Sequence, residues 1–343
     1  MSPSNSNKIA SLELGRALSM FAIVILHCHI LYQGPLINET PWLAYTVNQL
    51  ARFGVPFFFI LAGYLVQPKL TNSPFATLLN YGRPLMRIWL VWSLICLTIP
   101  FNIEVALTHG YFAERQGFWG WLLQTPINTM MEGGLVHLWY IPGLLCGLAV
   151  ITIALHFKRL GLLWLVALGL YLFGVAGGSY LTLTELWTPF FTRNGPFFST
   201  LMILLGVEIR RKSIRLSLMQ SLMLAALGLV IHFSEAFWLY GYDIPFNIHD
   251  FLLGTPLWGA GIFMMLLSRP TFGDHPITFK LANRVLGVYV AHLPIFLIML
   301  NLSTTFGIEG YLKDLFVVAA TFSISLLVVE GILRTPLKRW LLR

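Results

Sequence analysis

In a chain of 343 residues, 57% are hydrophobic and only 10% charged, and the mean hydropathy is +0.75. Water-soluble domains carry about 25% charged residues, so this composition excludes a soluble globular protein and specifies an integral membrane one. The net charge of +8 calls for no nucleic-acid partner, because the basic residues flank apolar runs, where they set orientation.

The first apolar span, 10–32, is interrupted by Glu13 and Arg16 and has no clean small-x-small cleavage site, so it reads as a retained helix. Further spans follow at 47–67, 84–103, 135–156, 160–177, 195–209, 216–238, 251–268, 285–304 and 314–333. Each is near the roughly 20 residues needed to cross a bilayer, except the sixth, which is short. Helices satisfy their own backbone in lipid, so the expected fold is all-α, a polytopic membrane protein of about ten transmembrane helices. No polar stretch is long enough to fold alone, and residues 1–343 read as one membrane domain. Of the 22 lysines and arginines, all but Arg52, Arg115, Arg193 and Lys313 fall on the side of the N-terminus. That bias predicts both termini in the cytoplasm.

On the outer side, residues 104–134 carry Glu114, Trp119, Trp121 and Glu132 and are expected to hold a short interfacial helix. The segment from Tyr240 to Asp250 mixes aromatic, amide and carboxylate groups, which suits a sugar or an interfacial aromatic belt. Cys28, Cys96 and Cys146 lie inside spans, too few and too deep for a disulfide framework or a thiolate site, and no metal is expected.

Two ionisable residues stand out in the first span. Arg16 and His27 are eleven residues apart, which returns them to within roughly 20° on a helix and separates them by roughly 16 Å. Charged groups at such depth are costly and mark a working site. His29 points about 200° away from His27, so the two cannot share a cavity or chelate an ion. Glu13 is placed to pair with Arg16. Arg52, His137 and Trp139 fall near the same outer depth as His27, and His292 falls near mid-depth. No phosphate-binding loop, HExxH pair, CxxC pair or GxSxG elbow occurs.

Four segments carry a resemblance. Arg16 and His27 match the Arg-x10-His mark of acyltransferase family 3, a family of integral membrane acyltransferases, with Glu13 where that family has an acidic residue. The run Val55-Pro56-Phe57-Phe58-Phe59-Ile60-Leu61-Ala62-Gly63-Tyr64-Leu65 is similar to its Pro-x-Phe-Phe-x-x-Ser-Gly-Tyr-Leu, with Ala62 in place of the serine. His137-Leu138-Trp139-Tyr140-Ile141 and the late Tyr289-Val290-Ala291-His292 complete the pattern in the family's order.

The resemblance implies transfer of an acyl group, usually acetyl from acetyl-CoA, to a hydroxyl of a cell-envelope glycan or lipid-linked saccharide in the bacterial inner membrane. Acyl-CoA is then a donor substrate, with no tightly bound cofactor. On that reading Arg16, Arg83 and Arg87 meet the donor's phosphates. His27 is the general base, with Arg16 and Arg52 beside it in the catalytic set, Arg52 as oxyanion donor. Glu13, His137, Trp139, Tyr289 and His292 line the substrate site. The competing class is a secondary transporter of a small anion or sugar, which also places charges in the membrane but commonly shows an inverted repeat that is not evident here.

Overall fold

The computed structural model describes residues 8–343 and is all-α, with no strand among the described residues. Its helices are α1 (Ala10–His27), α2 (Trp42–Ala51), α3 (Gly54–Asn72), α4 (Pro74–Thr98), α5 (Ile103–Thr108), α6 (Tyr111–Leu123), α7 (Pro126–Glu132), α8 (Tyr140–His156) and α9 (Leu160–Ala176). They continue as α10 (Leu181–Thr184), α11 (Pro196–Arg211), α12 (Leu218–Tyr240), α13 (Thr255–Leu267), α14 (Pro276–Ala282), α15 (Val285–Thr305), α16 (Gly310–Leu333) and α17 (Lys338–Leu341). A 3₁₀ turn, Val136–Trp139, leads into α8.

Among the described residues, six helical stretches are long and apolar enough to cross a membrane: α1, the α2–α3 run, the 3₁₀ turn with α8, α12, α15 and α16. Helices α9 and α13 are apolar but shorter. On α12 and α16 most of the surface stays uncovered, and it is apolar: Met219, Met223, Leu227 and Val230 on the first, Leu312, Leu315 and Leu327 on the second. A continuous apolar exterior of this kind is what lipid requires.

The centre of the bundle is α3 against α11, with α8 and α9 behind α11 and α1 and α13 against α3. Small residues make the central crossing close. A β-carbon at Gly63 would fall on the Ile203 carbonyl oxygen, and one at Gly206 on the Ile60 carbonyl oxygen. In lipid the apolar tails compete for every Leu face, so packing this tight is what holds two helices together. Around it Phe57, Phe59, Ile60, Phe198, Met202 and Ile203 are fully enclosed.

The helices depart from the apolar windows where hydrogen bonding, rather than hydropathy, decides. Helix α1 stops at His27, short of 32, because His29 and Leu31 take positive φ and the Leu31 amide donates to Asp314 at 2.6 Å. The 47–67 window is broken at Arg52 and Phe53 into α2 and α3. Helix α4 begins at Pro74, ten residues before its window, since proline is suited to the first helical turn. The short sixth window is α11, 16 residues starting at Pro196 after Gly195 turns at φ 76°. Between 103 and 132 the chain forms α5, α6 and α7 where one short helix was expected.

Candidate active site

One cavity of about 670 Å³ lies between α1, α3, α4, α8 and α15, a volume in the range of small-molecule sites. Along α1 it is lined by Arg16, Met20, Ile23 and His27, the face that helical phase puts together. Arg16 therefore stands towards one end and His27 towards the other, roughly 16 Å of helix apart.

Three imidazoles gather around the His27 end. The rings of His27 and His292 have centroids 5.2 Å apart, and those of His137 and His292 are 5.1 Å apart. His137 arrives on the 3₁₀ turn. Gly133 (φ 71°) and Gly134 let the preceding loop press onto α4, where any β-carbon would strike Ser93. His137 Nε2 then donates to the Val290 carbonyl at 3.1 Å, and the Tyr289 hydroxyl donates to the His137 carbonyl at 2.8 Å. On α15, His292 Nδ1 donates to the Tyr289 carbonyl at 2.7 Å. These bonds fix both tautomers, because a carbonyl accepts only from a protonated ring nitrogen. His137 Nδ1 and His292 Nε2 are left as enclosed lone pairs without a partner among the described residues.

The other end of the cavity is basic. Arg16, Lys69 and Arg343 border it together with Thr77, Asn80, Tyr81 and Asn283. Arg16 also donates to Glu13 at 2.7 Å, the pair its spacing allows, while a quarter of its side chain stays exposed. The Arg343 guanidinium lies 4.5 Å over the Tyr81 ring. Between the two ends the walls are apolar: Phe58, Leu61, Ala62, Leu65, Val66 and Leu144. Ala62 is thus part of the lining, and with no hydroxyl it offers no chemistry there.

Of the residues singled out in the sequence, Arg16, His27, His137, Trp139, Tyr289 and His292 border the cavity, and Glu13 touches it through Arg16. Three arginines are placed elsewhere. Arg52 is committed to an outer network: it donates to Asp250 Oδ1 at 2.8 Å, to the Asn247 carbonyl at 2.7 Å and to Asn48 at 3.3 Å. Arg193 joins that network, bonding Asp250 Oδ2 at 2.9 Å and Glu132 at 2.7 Å. Arg83 is exposed outside the lining, and Arg87 packs on Trp340 with its guanidinium 5.7 Å from the ring centroid. His29 is exposed beside Tyr32 and outside the cavity lining, but it lies beyond the end of α1 at φ 47°, so the helical phase expected of it does not apply.

Sequence reasoning missed Lys69 and Arg343. Lys69 was within reach, because it lies two turns beyond Ala62 and so shares a face with lining residues Val55, Phe58 and Ala62. Arg343 follows α17, and only the folded chain brings it back against α4.

In the outer network, burial opposes ionisation of Asp250, but the Arg193 and Arg52 guanidiniums outweigh it and hold the carboxyl below the usual aspartate value. Next to it, burial and then the Arg52 charge push the His249 imidazole down to about 4.

Fold and cavity define a helical membrane protein with a cationic entrance leading to a histidine cluster. A family model described as an acyltransferase domain, Acyl_transf_3, matches residues 9–330, and the chain belongs to this family, acyltransferase family 3. Among curated proteins it is 28% identical over 255 residues to a serine/alanine racemase of Enterococcus gallinarum, covering 67% of this chain and 33% of that one. It is 25% identical over 338 residues to an amino-acid racemase of Enterococcus faecalis, covering 93% of this chain and 46% of the relative. The chain thus spans a third to just under half the length of these relatives. No solved structure matches it.

Proposed function

We propose that this chain is a multi-pass O-acyltransferase that moves an acyl group, acetyl in the simplest case, from cytoplasmic acyl-CoA to a hydroxyl of an envelope glycan or lipid-linked saccharide. The observation that carries this reading is one cavity with cations at one end and three imidazoles at the other. The distribution of basic residues supports a bacterial inner-membrane orientation with both termini cytoplasmic and about ten crossings.

In this mechanism the donor's phosphates rest on Arg16, Lys69 and Arg343, and the pantetheine arm follows the apolar wall towards His27. An alcohol is a poor nucleophile until its proton is removed. His27 takes that proton as the oxygen bonds the thioester carbon, a contribution on the order of 10²–10⁴-fold. Collapse of the tetrahedral species breaks the C–S bond, and the thiolate takes the proton back. His137, Trp139, Tyr289 and His292 bound the space for the acceptor. Arg52 has no part as oxyanion donor in this mechanism, since its guanidinium is spent on Asp250, Asn247 and Asn48. Nor do Arg83 and Arg87 hold the donor. The racemase activity named for the longer Enterococcus proteins is not carried over to this chain.

The test is transfer of label from [14C]acetyl-CoA to native membrane glycan by the purified protein in lipid nanodiscs. Wild type should label the glycan and His27→Ala should not, at equal protein levels. Acetyl-CoA-independent counterflow of a sugar or anion, with no label transferred, would replace this reading with transport.

A further inference from the structure

We propose that His292 is the positioning residue of the proposed base: its Nε2 lone pair receives the ring N–H of His27 and thereby turns the other His27 nitrogen, unprotonated, towards the acceptor hydroxyl. The inference rests on the proposed acyl transfer for its consequence, but its geometry stands independently.

His292 is fully enclosed, and the Nδ1–H···O bond to the Tyr289 carbonyl at 2.7 Å leaves Nε2 only the role of acceptor. That lone pair has no donor among the described residues. A buried acceptor left alone is costly, so a donor within reach is expected to satisfy it. His27 supplies one. Two imidazoles joined by an N–H···N bond of ordinary length have centroids about 5 Å apart, and these are 5.2 Å apart, tilted by 48°. His137 does not compete for the same role. It stands 5.1 Å from His292 with its own N–H held by Val290, so it too offers a lone pair and no donor.

The proton account balances with His292 neutral throughout. The hydroxyl O–H breaks and its proton goes to the free nitrogen of His27. The resulting imidazolium keeps its other N–H on His292 Nε2, and the proton then passes to the departing thiolate. An orienting partner of this kind selects the tautomer and steadies the cation as it forms, as the third member of a hydrolase triad does.

The experiment has two arms on the protein in lipid nanodiscs. In the first, [15N]histidine-labelled protein is observed by NMR. Protonated Nδ1 and bare Nε2 on His292, with a 15N–15N coupling across to His27, support the proposal; a protonated Nε2 on His292 overturns it. In the second, thiol release from acetyl-CoA with water as acceptor is compared among variants. His292→Ala should lose on the order of 10²–10⁴-fold in kcat with KM for acetyl-CoA within about twofold. His292→Gln, whose Oε1 accepts from His27, should recover at least about tenfold over alanine. Wild-type rate in the alanine variant, or no recovery with glutamine in a folded protein, overturns the positioning role. Should wild type release no thiol with water and transfer no label to native glycan either, acyl transfer fails while the NMR arm still decides the histidine pair.

Discussion

The cavity and the outer layer above it both enclose polar groups, and they treat them in opposite ways. In the outer layer the enclosed arginines each have a counter-charge: Arg52 and Arg193 share Asp250, Arg193 also holds Glu132, and the fully enclosed Arg115 pairs with Glu114 between the rings of Phe101 and Phe118. In the cavity, two imidazole lone pairs face inward unpartnered, and cations line an open mouth. Paired charges hold loops in place at little net gain in stability. Unpartnered groups cost stability, and the proposed mechanism gives these two a use beside His27 and the acceptor. The contrast separates residues that build the site from residues that use it. It also explains why Arg52, so suggestive as an intramembrane arginine, belongs with the builders.

The largest expected effect lies on the cavity side. His27→Ala should lower acyl transfer from acetyl-CoA by about 10²–10⁴-fold while the protein's melting temperature stays near wild type. A fall in both together would move His27 from the users to the builders.

Much of this division was legible in the sequence. The phase of Arg16 and His27 depends only on helix geometry, which holds once α1 forms, so their common face could be read without coordinates. Apolar windows likewise found a helix for each predicted span. What hydropathy could not show were the events that end helices: the αL residues His29 and Leu31, the break at Arg52, the proline start at Pro74. Nor could common depth show which side chains meet. Arg52 and His137 were placed at one level, yet Asp250, nearly two hundred residues on in the chain, claims the first, while the Val290 carbonyl turns the second inward.

The outer layer should be acid-sensitive through His249. Its imidazole titrates near 4 in the folded protein against about 6.5 unfolded. The unfolded chain therefore binds the extra proton first. The stabilisation is complete above about pH 6.5 and is lost as pH falls towards 4, about 3 kcal/mol in all. The local opening equilibrium of residues 241–254, from hydrogen exchange corrected for its intrinsic pH dependence, should rise from pH 7 to pH 4.5 in wild type and rise less in His249→Leu. An identical rise in both would remove His249 from the account.

Asp250→Ala should come next. It strips a shared carboxylate from two guanidiniums that are 13% and 17% exposed. Breaking a buried pair costs about 3–5 kcal/mol. Asp250 itself is about a third exposed and Arg193 keeps Glu132, so a loss of about 1–3 kcal/mol in thermal unfolding is expected. A compensating Arg52→Met in the same background, which removes the guanidinium left without a counter-charge, should recover part of it.

The smallest effect belongs to the mouth. Lys69 is exposed and offers a point charge, so Lys69→Ala should raise the KM for acetyl-CoA about threefold to tenfold, more at low salt, and leave kcat nearly unchanged. A drop in kcat with KM constant would place Lys69 in the chemistry rather than at the entrance.

The account stands or falls on one cavity serving the donor from phosphate to thioester. A cryo-electron microscopy structure with a non-hydrolysable thioether analogue of acetyl-CoA examines this directly. Phosphate density beside Arg16, Lys69 and Arg343, with the sulfur against His27, is the predicted result. Nucleotide density on any other face of the bundle, with the histidine cavity empty, would contradict it.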